Sequence, residues 1–424
     1  MEKFIHLFSK PPKNSLQNKK SLISQQISTS LNFLKQYIEN PTLEIQKLVE
    51  NASKCKMDKS IRLLAWLIFF NILPYDNPQS WNQIISDFRS DFLNTKKTYF
   101  NETIIQFIKT NSQKGSDEYE NLKKQLSQKD FELLSIIKVD IDRTFQDLPQ
   151  FTEPETKIIL INVLFIYCKN NLVLGYIQGM NEIVGVLFEV LYQKIPLNET
   201  FIKDNNSFLY YIIYGNSHFL EADLYAVYCS IMNKALFSFF SYSNKELCSN
   251  KLGKLSQEEK LLLTKEKIKA SGDSEIKKRI YSLFYIELKD FDKTIYNSIA
   301  QIIEPDLFLL RWMLCLFTRE YEMEKVIQVW DAIFAFEFCQ FHYKEIRKNI
   351  EPIHMYFADF ICLSMIHYLK KDIVNNKDTT MILFQLMHFP TKPNLEDIID
   401  KAIEISNEHK CNIFKEKSIF DFFK

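Results

Sequence analysis

The stretch Ile137-Lys138-Val139-Asp140-Ile141-Asp142-Arg143-Thr144-Phe145 decides how this chain is read. On a helix, steps of three place Ile137, Asp140 and Arg143 within a roughly 120° arc of one face, stacking an apolar anchor, a carboxylate and a guanidinium. As a surface i,i+3 ion pair this is worth about a few tenths of a kcal/mol. The sharper reading is an arginine whose direction is set by Asp140 so that it projects toward a partner's charge. A second informative segment follows at Gly175-Tyr176-Ile177-Gln178-Gly179-Met180-Asn181. Three of the seven glycines (Gly175, Gly179, Gly185) fall within eleven residues there, implying close backbone approach rather than an ordinary helix interior. If Tyr176 and Gln178 sit in the first helical turn they point apart, Tyr176 inward and Gln178 outward. Taken alone, Gln178 reads as a solvated amide.

The surroundings of these segments are helical by composition. Seven Gly and 12 Pro among 424 residues are too few for the many tight turns of a β protein, while 46% hydrophobic residues and 36 Phe supply a large core. An all-α chain is expected. The 53 Lys+Arg balance 53 Asp+Glu, so no basic face announces nucleic-acid binding. Only seven of the basic residues are arginines: Arg62, Arg89, Arg143, Arg279, Arg311, Arg319 and Arg347. Eight scattered cysteines, with no CxxC pair or Cys/His quartet at zinc spacing, read as reduced core thiols of a cytosolic protein. The first twenty residues do not read as a secretory signal, since they have no apolar core ahead of a small-residue cleavage site, and no apolar run reaches the roughly 20 residues that span a bilayer. Membrane association is expected only through a partner or a weak peripheral contact.

Periodicity sets the expected organisation. Residues 1–30, rich in Ser, Gln, Asn and Lys, read as a flexible tail, and a single domain is expected over 31–405. Within it, one amphipathic helix is expected after the 111–118 loop, running to about Arg143. A Thr152-x-x-Glu155 capping box is expected to open the next helix, whose residues Lys157 to Cys168 are apolar nearly all round and read as central to the core. The Lys/Ser/Glu-rich stretch at about 242–279, with a short helix started by Ser256-x-x-Glu259, reads as a surface insertion, and 406–424 as a C-terminal tail. No phosphate loop, G-x-G-x-x-G, G-x-S-x-G or H-E-x-x-H motif occurs. The DxD pairs Asp140/Asp142 and Asp290/Asp292 are a weak metal signal, because helical residues two apart diverge by about 200°.

Together, IxxDxxR and YxQGM resemble the TBC domain of Rab GTPase-activating proteins, in which the first motif carries an arginine finger and the second a glutamine finger. Arg62-x-x-x-Trp66 followed by Leu73-Pro74 resembles the family's early RxxxW…LP element. Farther on, Arg311-Trp312, Arg319-Glu320 and Trp330-Asp331-Ala332-Ile333-Phe334 are similar to its RW…RE…WD.LF block. The order of EADLYAVYCSIM at 221–232, the charged insertion and FQLMHFP at 384–390 looks most like the branch containing the retromer-associated, endosomal TBC protein. The likeness runs from about residue 45 to 405. Gln146 departs from the pattern, standing where the family often has Pro. No long C-terminal extension is expected, so partner-binding motifs housed in such extensions are not carried over.

The resemblance implies a TBC fold of two helical subdomains with a charged surface insertion, and a GTPase activator rather than an enzyme in its own right. Arg143 and Gln178 would be the fingers, Asp140 would orient Arg143, Tyr176 would fix the segment presenting Gln178, and Arg62 and Trp66 would brace the helices behind. The chain would need no cofactor of its own, because GTP and Mg²⁺ belong to the partner, a Rab-family GTPase in its GTP state. An endosomal coat or retromer-like partner and a cytoplasmic location, peripheral on endomembranes, are implied in the same way. The alternative is a catalytically inactive TBC-fold scaffold that binds a Rab.

Overall fold

A computed structural model describes residues 13–110, 115–172, 174–192, 205–215, 217–236, 275–346, 355–376, 378–390 and 393–408. Among them the regular structure is entirely helical. The first half comprises α1 (Lys13–Glu39), α2 (Pro41–Ser53), α3 (Lys59–Phe69), α4 (Trp81–Tyr99), α5 (Glu102–Lys109), α6 (Asp117–Gln125), α7 (Gln128–Ile141), α8 (Pro149–Thr152), α9 (Pro154–Asn170), α10 (Met180–Tyr192), α11 (Asn205–Tyr210) and α12 (Leu220–Ile231). The second half comprises α13 (Glu275–Ser282), α14 (Leu288–Phe291), α15 (Lys293–Ile299), α16 (Leu309–Leu314), α17 (Met323–Ile346), α18 (Phe357–Tyr368), α19 (Lys370–Asn375), α20 (Thr379–Met387) and α21 (Leu395–Glu408).

Packing follows apolar content. In α9, Leu160, Val163, Leu164, Phe165, Ile166 and Tyr167 are all buried, and the helix packs on α4, α7, α10 and α12, as its all-round apolar surface predicts. The hydrophobic α17 joins the two halves: it packs on α2, α3 and α10 on one side and on α18 and α21 on the other. One continuous apolar core therefore runs from Leu34 to Ile405.

Several expected boundaries move. Residues 13–30 are not a tail, since α1 begins at Lys13. Leu31, Leu34 and Ile38, the face on which helical patterning starts, pack on the core together with Ile27 one turn earlier, and the polar residues around Ile27 hide that extension from a compositional reading. The expected helix before Arg143 is two helices, because Ser127 caps α7 by accepting from Asp130 N at 3.1 Å. The Thr152 capping box does not form. Thr152 Oγ1 donates to Pro149 O at 2.7 Å, and α9 starts instead with Pro154, whose fixed φ and missing N–H suit the first helical turn. Of the expected insertion, residues 242–274 lie outside the described residues, while 275–279 belong to α13, where Ile276 is buried and Arg279 pairs with Asp359 at 2.9 Å. At the other end α21 extends to Glu408 with Ser406 fully buried, and 409–424 lie outside the described residues. No helix among the described residues is long and apolar enough to cross a membrane.

Candidate functional site

The site is built where α7 ends. Ile137 is fully buried and Asp140 nearly so, as their shared face requires, and Lys138 reaches the other way. Its ammonium donates to Phe107 O at 2.7 Å, Ile108 O at 3.2 Å and Thr110 O at 3.0 Å, satisfying carbonyls at the end of α5 and fixing α7 beside it. Burial lowers the Lys138 pKa.

After Ile141 the chain turns, and the turn is tied down at each residue that follows. Arg143 Nη2 donates to Asp140 Oδ1 at 2.7 Å and Arg143 Nε to Val139 O at 3.2 Å. Thr144 Oγ1 donates to Asp140 O at 2.7 Å. Phe145 takes a left-handed backbone (φ 45°), a conformation that costs a non-glycine residue on the order of 1–3 kcal/mol. The Gln146 amide folds back onto Asp142 O, and Lys157 pairs with the Asp142 carboxylate at 2.8 Å, so the departure from proline leaves a closed turn. The Arg143 side chain nevertheless stays 64% exposed, against 9% for Asp140.

The second segment meets the first through the same carboxylate. Tyr176 Oη donates to Asp140 Oδ2 at 2.9 Å, so one buried aspartate holds Arg143 with one oxygen and Tyr176 with the other. Burial, reinforced by that carboxylate, raises the Tyr176 pKa and keeps it a donor. A parallel tie runs through Asn181, whose amide donates to Thr144 Oγ1 at 2.9 Å while its Oδ1 accepts from Gly179 N at 3.2 Å. Gln178 is exposed in the turn just before α10, one residue ahead of Gly179. The expectation that Tyr176 and Gln178 occupy a first helical turn does not hold, since the helix begins at Met180. Their opposite directions survive because Gly175 (φ 63°) and Gly179 (φ 105°) bend the chain on either side. Gly185 serves differently: a Cβ there would lie 2.7 and 2.9 Å from the Phe145 ring, so its bare backbone lets α10 sit against the arginine turn.

Arg62 and Trp66 lie in a separate network. Arg62 Nε donates to both Asp331 oxygens at 3.1 and 2.9 Å, and Trp66 Nε1 donates to Asp331 Oδ1 at 2.7 Å. Burial raises the Asp331 pKa to about 6, although Arg62 and Trp66 pull it back. The Trp66 ring packs edge-on against Phe334 at 5.0 Å between centroids. This joins α3 to α17 and hydrogen-bonds neither Arg143 nor Gln178. The two DxD pairs separate likewise: Asp142 turns to Lys157 and Asp292 caps α15 and pairs with Lys370 at 2.6 Å. No cluster of metal-ligating side chains occurs among the described residues. Buried Cys168, Cys315 and Cys339 have thiols pushed up to about 12, as apolar core positions should.

Sequence reading passed over Thr144 and Asn181, although both stand inside the quoted segments, and over Glu182. Glu182 accepts from Arg319 Nε at 2.6 Å and from Thr318 Oγ1, partners with no local signal because they stand 137 and 136 positions farther along the chain.

The RabGAP-TBC family profile, described as the Rab-GTPase-TBC domain, matches residues 59–374, about three quarters of the chain. The chain belongs to this family. The Rab-GTPase-TBC match takes in Arg62, Arg143, Gln178 and Asp331. The chain is 26% identical over 355 residues to TBC1 domain family member 5 of Homo sapiens, an alignment covering 81% of this chain and 41% of that protein. It thus spans about two fifths of the length of that relative. Over 201 residues it is 23% identical to the GTPase-activating protein GYP1 of Saccharomyces cerevisiae, covering 46% of this chain and 26% of that protein. The crystal structure of the Ypt/Rab-GAP domain of Gyp1p superposes with a TM-score of 0.60 at 19% identity, covering 92% of this chain and 99% of that one. The fold is that of TBC Rab-GAP domains.

Proposed function

We propose that this chain accelerates GTP hydrolysis by a Rab-type small GTPase, supplying Arg143 and Gln178 to the partner's active site. The observation that carries the reading is the Asp140 carboxylate, which binds the exposed Arg143 and the tyrosine two residues before Gln178 at once. A small GTPase holds its own GTP and Mg²⁺ but hydrolyses slowly, because charge developing on the transferred phosphoryl group is unneutralised and the attacking water is unfixed. The first defect calls for a planar, permanently charged group. Two of the five Arg143 N–H groups are committed to Asp140 and Val139, which directs the remainder outward as a fork for phosphate oxygens. Prior orientation reduces the side-chain ordering cost of docking. The second defect calls for a group that donates and accepts at one point, as the Gln178 amide does.

The GTP and Mg²⁺ belong to the GTPase, and the chain contributes no cofactor. Similarity to TBC1 domain family member 5 supports a role in endosomal membrane traffic, with the protein cytoplasmic, peripheral on endomembranes and recruited by its GTPase and a retromer-like coat. The test is multiple-turnover GTP hydrolysis by a panel of Rab proteins. Wild type is expected to accelerate at least one, and Arg143→Ala to forfeit about 10³-fold or more. Arg143→Lys restores little because a point charge does not replace the fork, and Gln178→Ala is also impaired. Arg143→Ala performing as well as wild type refutes the finger assignment. GTP-dependent binding with no rate effect identifies a scaffold instead.

A further inference from the structure

The turn segment Leu316-Phe317-Thr318-Arg319-Glu320 meets the first turn of α10 immediately after Gln178. Glu182, buried in that turn, accepts from Arg319 Nε at 2.6 Å and from the buried Thr318 hydroxyl. The arm bearing these donors is fixed at its far end, where Arg311 grips Glu320 with two bonds of 2.9 Å and also donates to Met387 O. It is also strained. Leu316 (φ 44°) and Phe317 (φ 65°) are consecutive non-glycine residues in the left-handed region, each costing on the order of 1–3 kcal/mol, and the strain ends where Thr318 and Arg319 reach Glu182.

Charge neutralisation alone does not call for this arrangement, because a carboxylate in the first turn of a helix is already favoured by the helix dipole. What the contact fixes is backbone. Glu182 N donates to Gly179 O at 3.1 Å and Ile183 N to the same oxygen at 3.3 Å, so the residue after Gln178 is hydrogen-bonded directly to the clamped residue. With glycines in positive φ at 175 and 179, the turn carrying Gln178 has little stiffness of its own, and its direction depends on its anchors. Two of these, Tyr176 to Asp140 and Asn181 to Thr144, run through the Arg143 segment. The Glu182 contact runs to another part of the fold.

We infer that Thr318 and Arg319 are positioning residues for Gln178, acting through Glu182 to fix the first turn of α10 at the angle that aims the glutamine amide. The inference rests on the reading of Gln178 proposed above. A merely structural ion pair lowers stability when broken, but it has no reason to act through one particular side chain. A positioning pair loses its effect once the positioned side chain is gone.

The experiment is a double-mutant cycle on GTP hydrolysis by a responsive Rab, with kcat and KM measured separately. Arg319→Ala is made in the wild-type and Gln178→Ala backgrounds, with melting temperatures recorded for each. Arg319→Ala is expected to lower kcat roughly tenfold in the wild-type background with KM little changed, and to change kcat by less than about twofold beside Gln178→Ala. Arg319→Lys, which keeps the charge but not the fork, is expected to recover part of the loss. Where Arg319→Ala does not fold, Arg319→Lys and Glu182→Gln complete the same cycle. An equal loss in both backgrounds, or a change confined to KM, overturns the positioning role, because Arg319 then acts on the fold at large or on the GTPase directly. If Gln178→Ala itself leaves kcat intact, the reading of Gln178 falls and this inference with it, an outcome distinct from additive losses beside an impaired Gln178→Ala.

Discussion

Tyr176 and Asp140 meet at 2.9 Å across 36 residues of chain, and the same carboxylate holds Arg143 on its other oxygen at 2.7 Å. Removing the hydroxyl therefore tests the coupling between the two exposed side chains without touching either. Tyr176→Phe keeps the half-buried ring and deletes a hydrogen bond to a charged group, worth about 1.5–3 kcal/mol in total. If roughly half of that is expressed in positioning, kcat for Rab GTP hydrolysis falls about three- to twelvefold with KM unchanged. Unaltered kcat in Tyr176→Phe, beside a strongly impaired Arg143→Ala, makes the tyrosine a packing residue only.

Gly185 is set by Phe145. Because a methyl at 185 would lie 2.7 and 2.9 Å from the ring, Gly185→Ala must push away the turn that follows Arg143 or shift α10. Overpacking of this kind costs about 1–3 kcal/mol. A melting temperature lowered by several degrees and a reduced GTPase-activating rate are expected together, whereas Ile286→Ala, at an exposed position, should leave both almost untouched.

Much of this arrangement was legible along the chain because its parts are local. Asp140 and Arg143 share a face by helical spacing alone, and the glycines around Tyr176 and Gln178 mark a bent backbone whatever lies nearby. Arg62, Trp66 and Asp331 were each visible inside a motif, but that one carboxylate accepts from both donors follows only from packing α3 on α17. Arg319 was visible in the same block, but its pairing with Glu182 left no local trace for the same reason. The misplaced boundaries have other causes. Polar composition concealed that the Leu31, Leu34, Ile38 face extends back through Ile27, and Pro154 took over the helix start that Thr152 and Glu155 advertise.

Asp331 carries the largest expected stability effect. It is fully buried, and Arg62, also buried, directs Nε at both its oxygens. Asp331→Ala leaves that guanidinium with Met57 O at 3.1 Å as its remaining acceptor among the described residues and strands the Trp66 N–H. Breaking a buried pair from one side costs about 3–5 kcal/mol. Urea unfolding should show a lower midpoint with an unchanged slope. A loss below about 1 kcal/mol would mean that the arginine finds water or another acceptor, and that the α3 to α17 contact rests on the aromatic rings alone.

Glu287 gives the fold a pH dependence of predictable sign. Burial, helped by the nearby Asp359 carboxylate, raises its pKa from 4.5 to about 7, and Arg279 offsets this only in part because it is committed to Asp359 at 2.9 and 3.0 Å. Its Oε2 is buried without a hydrogen-bond partner among the described residues. A carboxyl raised on folding favours the protonated native state. Its ionisation is therefore a penalty that grows as pH rises from about 4.5 to about 7 and is constant above that. Glu287→Gln, which resembles the protonated acid at every pH, should melt close to wild type near pH 4.5 and several degrees above it at pH 8. The informative quantity is the difference between the two proteins, since other titrating groups cancel in it. A difference that stays flat across this range, or that favours wild type at high pH, would show that Glu287 reaches solvent or a cation when ionised.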